Sequence, residues 1–139
     1  MNRKALDRRL QELSIYSEFY HRKELNALAQ VLTEDEILNC ILTGVNEGNR
    51  KMLAITDRRL MIIFAGALSA KDFVVVQRSA VKEFRFEKKF LFSQAGFCTN
   101  SGAEYVFENT QGSLKELFEW AMQRPLPSAG GGTQKQHPY

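Results

Sequence analysis

The spacing of apolar residues changes twice along this chain, from helical period to strand-like alternation and back again. Residues 2–32 contain neither Gly nor Pro and are mostly good helix formers, which predicts one long helix or two joined ones. Leu6, Leu10 and Leu13 form an apolar stripe that Tyr16 and Tyr20 extend, whereas Leu25, Leu28, Val31 and Leu32 begin a second stripe out of phase with it. A break is therefore expected within 17–22. The opposite faces carry Arg3, Asp7, Arg8, Gln11, Glu12 and Glu18, the pattern of a helix lying on something rather than buried all round.

Thr33 followed by Glu34, Asp35 and Glu36 supplies a capping hydroxyl and then carboxylates suited to the positive end of a helical turn. Strands are predicted beyond it over 37–44, 51–55, 59–64, 73–77, 81–87, 90–98 and 104–108. Thr56-Asp57-Arg58 reads as a tight hairpin turn and Asn100-Ser101-Gly102 as another. Seven short strands at regular spacing suggest a sandwich or barrel. Helical period returns at Ser113-Leu114-Lys115-Glu116, which has the form of a capping box, and continues through Leu117, Phe118 and Ala121 until Pro125. Trp120 lies at the border of that apolar face and is expected to pack. Residues 125–139 hold all three prolines and three consecutive glycines, which predicts a disordered tail. The chain thus divides into a helical segment at 1–32, a β-rich domain at 33–124 and a tail at 125–139.

A length of 139 residues with 44% hydrophobic and 25% charged residues fits one soluble globular domain able to hold a core without disulfides or metal. Residues 1–30 carry six Lys/Arg and four Asp/Glu and no apolar run of signal-peptide length, so no secretory leader is expected. The longest apolar stretch, 60–68, is too short to span a bilayer. Cys40 and Cys98 are isolated and read as reduced thiols, consistent with a cytoplasmic setting.

Candidate chemistry is sparse. The two histidines, His21 and His137, fall in a helical stretch and in the tail, and no nucleophile, phosphate-loop or metal motif occurs. No catalytic residue, metal ligand or cofactor is assigned. The adjacent acids Glu34, Asp35 and Glu36 point in different directions on a turn, so capping accounts for them without a cation. Arg50 and Lys51, opposed by Glu47, are candidate anion or membrane contacts, but a specific phosphoinositide pocket needs more cations than these. Lys88 and Lys89, in the run Lys88-Lys89-Phe90-Leu91-Phe92, are a second candidate pair at a hairpin tip. Six of the ten phenylalanines fall between Phe84 and Phe107, yet alternation turns Phe84 and Phe86 to one face and Glu83, Arg85 and Glu87 to the other, so no nucleic-acid stacking platform is expected. Arg58 and Arg59 are expected to be structural, one of them pairing with Asp57 or Asp72. The net charge of +3 is uneven: residues 31–49 sum to −4 and residues 50–89 to +6. An uneven field of this kind can steer an anionic partner or orient copies of the chain.

A helical N-terminus, seven strands and one C-terminal amphipathic helix follow the order of the pleckstrin-homology superfold. The run Val31-Leu32-Thr33-Glu34-Asp35-Glu36-Ile37-Leu38, then Thr43-Gly44, then Lys51 through Ile63 with its Thr56-Asp57-Arg58-Arg59-Leu60 hairpin, resembles bacterial PH-like domains of the YokE-like group. Asp72-Phe73, the strand Val81-Lys82-Glu83-Phe84-Arg85-Phe86 and the stretch from Phe97 to Phe107 resemble the later strands of the same group. The resemblance spans roughly residues 25–122 and implies a mainly β, α+β fold: a seven-stranded bent sheet pair or partly open barrel capped by the C-terminal helix. It implies a binding or assembly unit rather than an enzyme. The expected function is protein–protein contact, with self-assembly through the spare stripe Leu6, Leu10 and Leu13. The alternative is peripheral binding to a membrane or anionic ligand through Arg50, Lys51, Lys88 and Lys89. No small-molecule substrate is evident.

Overall fold

Residues 1–126 are described in a computed structural model of the chain. Three helices open it: α1 (Arg3–Glu12), α2 (Tyr16–Phe19) and α3 (Glu24–Val31). The Asn2 side chain caps α1 by accepting a hydrogen bond from the Ala5 N–H at 2.8 Å, and Ser14, at φ 62°, turns the chain out of that helix. The helical stretch consequently breaks twice, at 13–15 and at 20–23, instead of once within 17–22. Residues 33–36, expected as a helical turn, form a non-helical one.

Seven strands follow: β1 (Leu38–Asn46), β2 (Asn49–Thr56), β3 (Arg59–Phe64), β4 (Phe73–Gln77), β5 (Val81–Lys88), β6 (Ser93–Thr99) and β7 (Glu104–Thr110). They make one antiparallel sheet in the order β4-β3-β2-β1-β7-β6-β5 that does not close on itself, so β4 and β5 are its edges. The β2–β3 turn is held by Thr56, whose hydroxyl accepts from the backbone N–H of Arg58 (3.1 Å) and of Arg59 (3.0 Å). β6 begins at Ser93 and not at residue 90, which leaves Phe90, Leu91 and Phe92 in the hairpin loop. β1 joins the two halves of the sheet, pairing with β2 along its length and meeting β7 at Val45 and Glu108. Gly44 permits that crossing: a Cβ there would lie 2.8 Å from the Glu108 carbonyl oxygen and 2.8 Å from the Thr110 methyl. Gln111 ties the same junction by donating to the Thr43 hydroxyl (2.6 Å) while accepting from its N–H (3.2 Å).

Burial explains the apolar runs in β2 and β3. Successive strand residues point to opposite faces, yet every residue from Met52 to Thr56 and from Leu60 to Ile63 is buried, so both faces of this half-sheet are covered. The helix α4 (Lys115–Gln123) packs on β1, β2 and β5, and the N-terminal helices contribute Leu6, Leu10, Leu13, Ile15, Phe19, Leu25 and Leu28 to the same continuous core. Polar ties reinforce the docking. Arg9 donates from Nε to the Leu38 carbonyl (2.7 Å) and from Nη2 to Asn39 Oδ1 (3.1 Å), and Arg3 reaches Asn26 Oδ1 (2.7 Å) and the Tyr20 carbonyl (2.8 Å).

The expected capping box at Ser113 is not formed. A 3-10 turn over Gly112–Leu114 precedes α4, which starts without a side-chain cap. Its other end carries the strong polar contact. Buried Arg78 donates from Nη1 to the Ala121 carbonyl (3.1 Å) and from Nη2 to those of Met122 (3.0 Å) and Arg124 (2.9 Å). Carbonyls that a helix end leaves without partners thereby gain a charged donor. Trp120 is partly buried against the core, with the Arg124 guanidinium 5.2 Å from its ring centroid. Most of the tail, residues 127–139 including His137, lies outside the described residues.

Candidate functional site

Antiparallel order fixes where the candidate cations lie. Through the paired registers Arg50 faces Val45, Val45 faces Glu108, Glu108 faces Gln94 and Gln94 faces Glu87, so one cross-strand row runs from β2 to β5. Arg50 and Lys51 begin β2 at one extreme of that row, and Lys88 and Lys89 follow Glu87 at the other. The two cation pairs are separated by the three strands β1, β7 and β6. Lys51 is also engaged, donating to Asn46 Oδ1 at 2.8 Å and lying 4.9 Å from the Phe64 ring centroid, with Glu47 at 3.8 Å. Arg50, Lys88 and Lys89 are exposed.

The stripe expected to be spare is not spare. Leu6, Leu10 and Leu13 are buried within the chain's own core, because a half-sheet apolar on both faces needs a second cover. They offer no free interaction face in this structure.

Two polar clusters were not anticipated. Glu36 is buried and receives Nε and Nη2 of Arg59 at 2.7 and 2.8 Å, the Thr56 hydroxyl at 2.7 Å and the Thr33 N–H at 3.2 Å. Burial pushes its carboxyl upward, but the hydrogen bonds from Arg59, Thr56 and Thr33 outweigh it and hold the group below its ordinary range. Arg59, in turn, is raised chiefly by its hydrogen bonds to Glu36. Arg58 pairs with Asp35 at 3.0 Å, while Asp57 accepts from the Ile37 N–H at 3.0 Å. The Thr56-Asp57-Arg58-Arg59 run is thus a clamp between the first turn and the sheet. Arg78 is the second cluster. Nothing in its local sequence marks it out, since its partners are backbone carbonyls 22 to 46 residues away.

A groove of about 390 Å³ runs along β5, β6 and β7, where Arg85, Gly96 and Val106 form one cross-strand row and Glu83, Cys98 and Glu104 the next. Gly96 leaves the hollow, and Cys98 Sγ lies 3.5 Å from Glu83 Oε1. No histidine lines it, and no cluster of metal-ligating side chains occurs among the described residues. Its lining is an alternation of opposite charges, with Arg85 3.5 Å from Glu87 and 3.8 Å from Glu104.

The two sheet edges differ in kind. β5 alternates Lys82, Glu83, Arg85, Glu87 and Lys88, the charged guard that deters strand addition, whereas β4 reads Phe73-Val74-Val75-Val76-Gln77 with no charge. Val74 and Val75 are 39% and 44% exposed.

An open seven-stranded antiparallel sheet with a C-terminal helix against one face matches the family comparison. A model described as bacterial PH domain matches residues 32–122. The chain belongs to the bacterial PH domain family. Comparison with curated proteins finds no match. The matched region of this bacterial PH domain begins at Leu32, so α1, α2 and α3 lie ahead of it. Among the described residues no helix is long and apolar enough to cross a membrane.

Proposed function

We propose that this bacterial PH domain is a non-enzymatic binding module that works by protein–protein contact, accepting an extended strand along β4. The observation that carries the reading is the uncharged edge. Among the described residues β4 pairs only with β3, so its outer side holds backbone donors and acceptors without strand partners there, and Val74 and Val75 offer apolar contact on both faces. A second copy of the chain is the simplest source of such a strand, since antiparallel pairing of β4 with itself closes into a two-fold dimer. The Thr56–Leu60 hairpin supports placing the domain with the YokE-like group, and its two unlinked cysteines fit a cytoplasmic setting.

Removing α1 is a poor test, because it would uncover core leucines rather than an interface. Sedimentation of the full chain over a concentration series, beside Val75→Lys, is direct. Wild type is expected to associate and Val75→Lys to stay monomeric with an unchanged fold, since a lysine on an edge strand opposes pairing. A wild type that remains monomeric, with β4 amides equally quick to exchange hydrogen at every concentration, overturns the self-pairing.

A further inference from the structure

The β5–β6 hairpin carries an independent observation, on a surface away from the β4 edge. Phe90 is 100% exposed, Leu91 79% and Phe92 55%, three consecutive large apolar side chains in the loop between Lys88 and Ser93. The other phenylalanines of this half-sheet turn inward: Phe86, Phe97 and Phe107 are buried, and Phe84 meets the Phe118 ring at 6.0 Å. Strand alternation thus hides the aromatics of β5, β6 and β7 while the loop displays its own. Soluble proteins seldom present such a run without something to receive it.

We propose that this hairpin tip inserts into the interfacial layer of an anionic lipid bilayer. Shape and charge select that occupant. The tip is a convex projection at a strand end, which penetrates a deformable apolar layer without needing a preformed socket. Lys88 and Lys89 sit at its base, where the headgroups of an inserted tip would lie, and both are exposed. Among the described residues the one carboxylate in ion-pair range is Glu87, 4.0 Å from the Lys89 ammonium, a separation at which an exposed pair is weak. Apolar insertion combined with cations facing an anionic surface is the two-signal arrangement that gives reversible membrane attachment. Arg50 and Lys51 lie on β2, with β1, β7 and β6 between them and the tip.

The test is sedimentation of the full chain with vesicles containing about one-third phosphatidylserine, and with phosphatidylcholine alone, at low and at physiological salt. Binding is expected with the anionic vesicles, weakening several-fold as salt rises, because the lysines act through a screened field. Phe90→Ser with Leu91→Ser and Phe92→Ser should lose tenfold or more of that binding, since each apolar side chain withdrawn forfeits most of its transfer energy. These positions are exposed, so circular dichroism should show the fold kept. Phe90→Trp gives a direct readout: its emission should shift to the blue on anionic vesicles beyond any shift of Trp120 in wild type. Absence of binding at low salt, as expected if the tip instead fits a protein socket, overturns the proposal. So does equal binding by the triple serine variant.

Discussion

The two halves of the sheet are built on different terms. In β2 and β3 the runs Met52–Thr56 and Leu60–Ile63 are buried without a break, because helices or the other half-sheet cover both faces, whereas β5 alternates and exposes one whole face of charges. The first half depends on tertiary cover that the strands cannot supply for themselves. The second behaves as an ordinary one-sided sheet, with apolar residues toward α4 and Glu83, Arg85 and Glu87 toward water. Burial is therefore concentrated where the N-terminal helices dock, and freedom to present a surface belongs to β5, its hairpin and the outer row.

The largest expected effect probes that cover. Leu10 is fully buried in α1, within the core that the N-terminal helices share with the sheet. Leu10→Ala should cost about 3 kcal/mol, from the lost transfer energy plus the cavity left behind, measured by urea denaturation. A cost below about 1 kcal/mol would mean that α1 is an accessory layer and would break the contrast between the halves.

Which parts of this could be seen in the sequence follows the same division. The strands and α4 announced themselves through local period, turn residues and Pro125, and the charged row of β5 through alternation. The fate of Leu6, Leu10 and Leu13 did not, since a stripe buried in its own fold and one facing a partner have the same spacing. The missing clue was present elsewhere, in apolar runs at Met52–Ile55 and Leu60–Ile63 that leave no solvent face. Glu36 with Arg59 was hidden for another reason. A carboxylate in a run of acids reads as a cap, and only the fold brings Arg59 across 23 residues to meet it. The separation of Arg50 and Lys51 from Lys88 and Lys89 needs the strand order, which sets β1, β7 and β6 between them.

An intermediate effect sits at the seam between the N-terminal segment and the well-covered half. Glu36→Gln keeps the shape but removes the charge that Arg59 faces, and should cost about 2 kcal/mol at neutral pH, less than a fully buried pair because Arg59 remains 22% exposed. The sign with pH is fixed by linkage. The carboxyl of Glu36 is held below the ordinary value of 4.5, so its stabilising contribution is complete above that value and is lost as pH falls through the lower, folded one. Stability curves of wild type and Glu36→Gln, taken from pH 7 downward, should converge in that acid range. Parallel curves would show that the ionised carboxylate contributes nothing beyond its shape.

The smallest expected effect completes the contrast. Arg85 is 55% exposed on the outer face of β5, with Glu87 at 3.5 Å and Glu104 at 3.8 Å. Its geometry is that of a solvated pair, in which the Coulomb gain is nearly offset by the entropy of holding long side chains and is screened by salt. Arg85→Ala should change stability by no more than about 0.5 kcal/mol, in either direction, in the same urea experiment. A loss several times larger would show that the outer row is a structural brace, and the one-sided half would then share the dependence of the other on contacts across its face. A null result has a positive meaning, because a charged row that contributes nothing to folding, beside a hairpin that projects three apolar side chains, leaves this half of the sheet free to be shaped by what it touches.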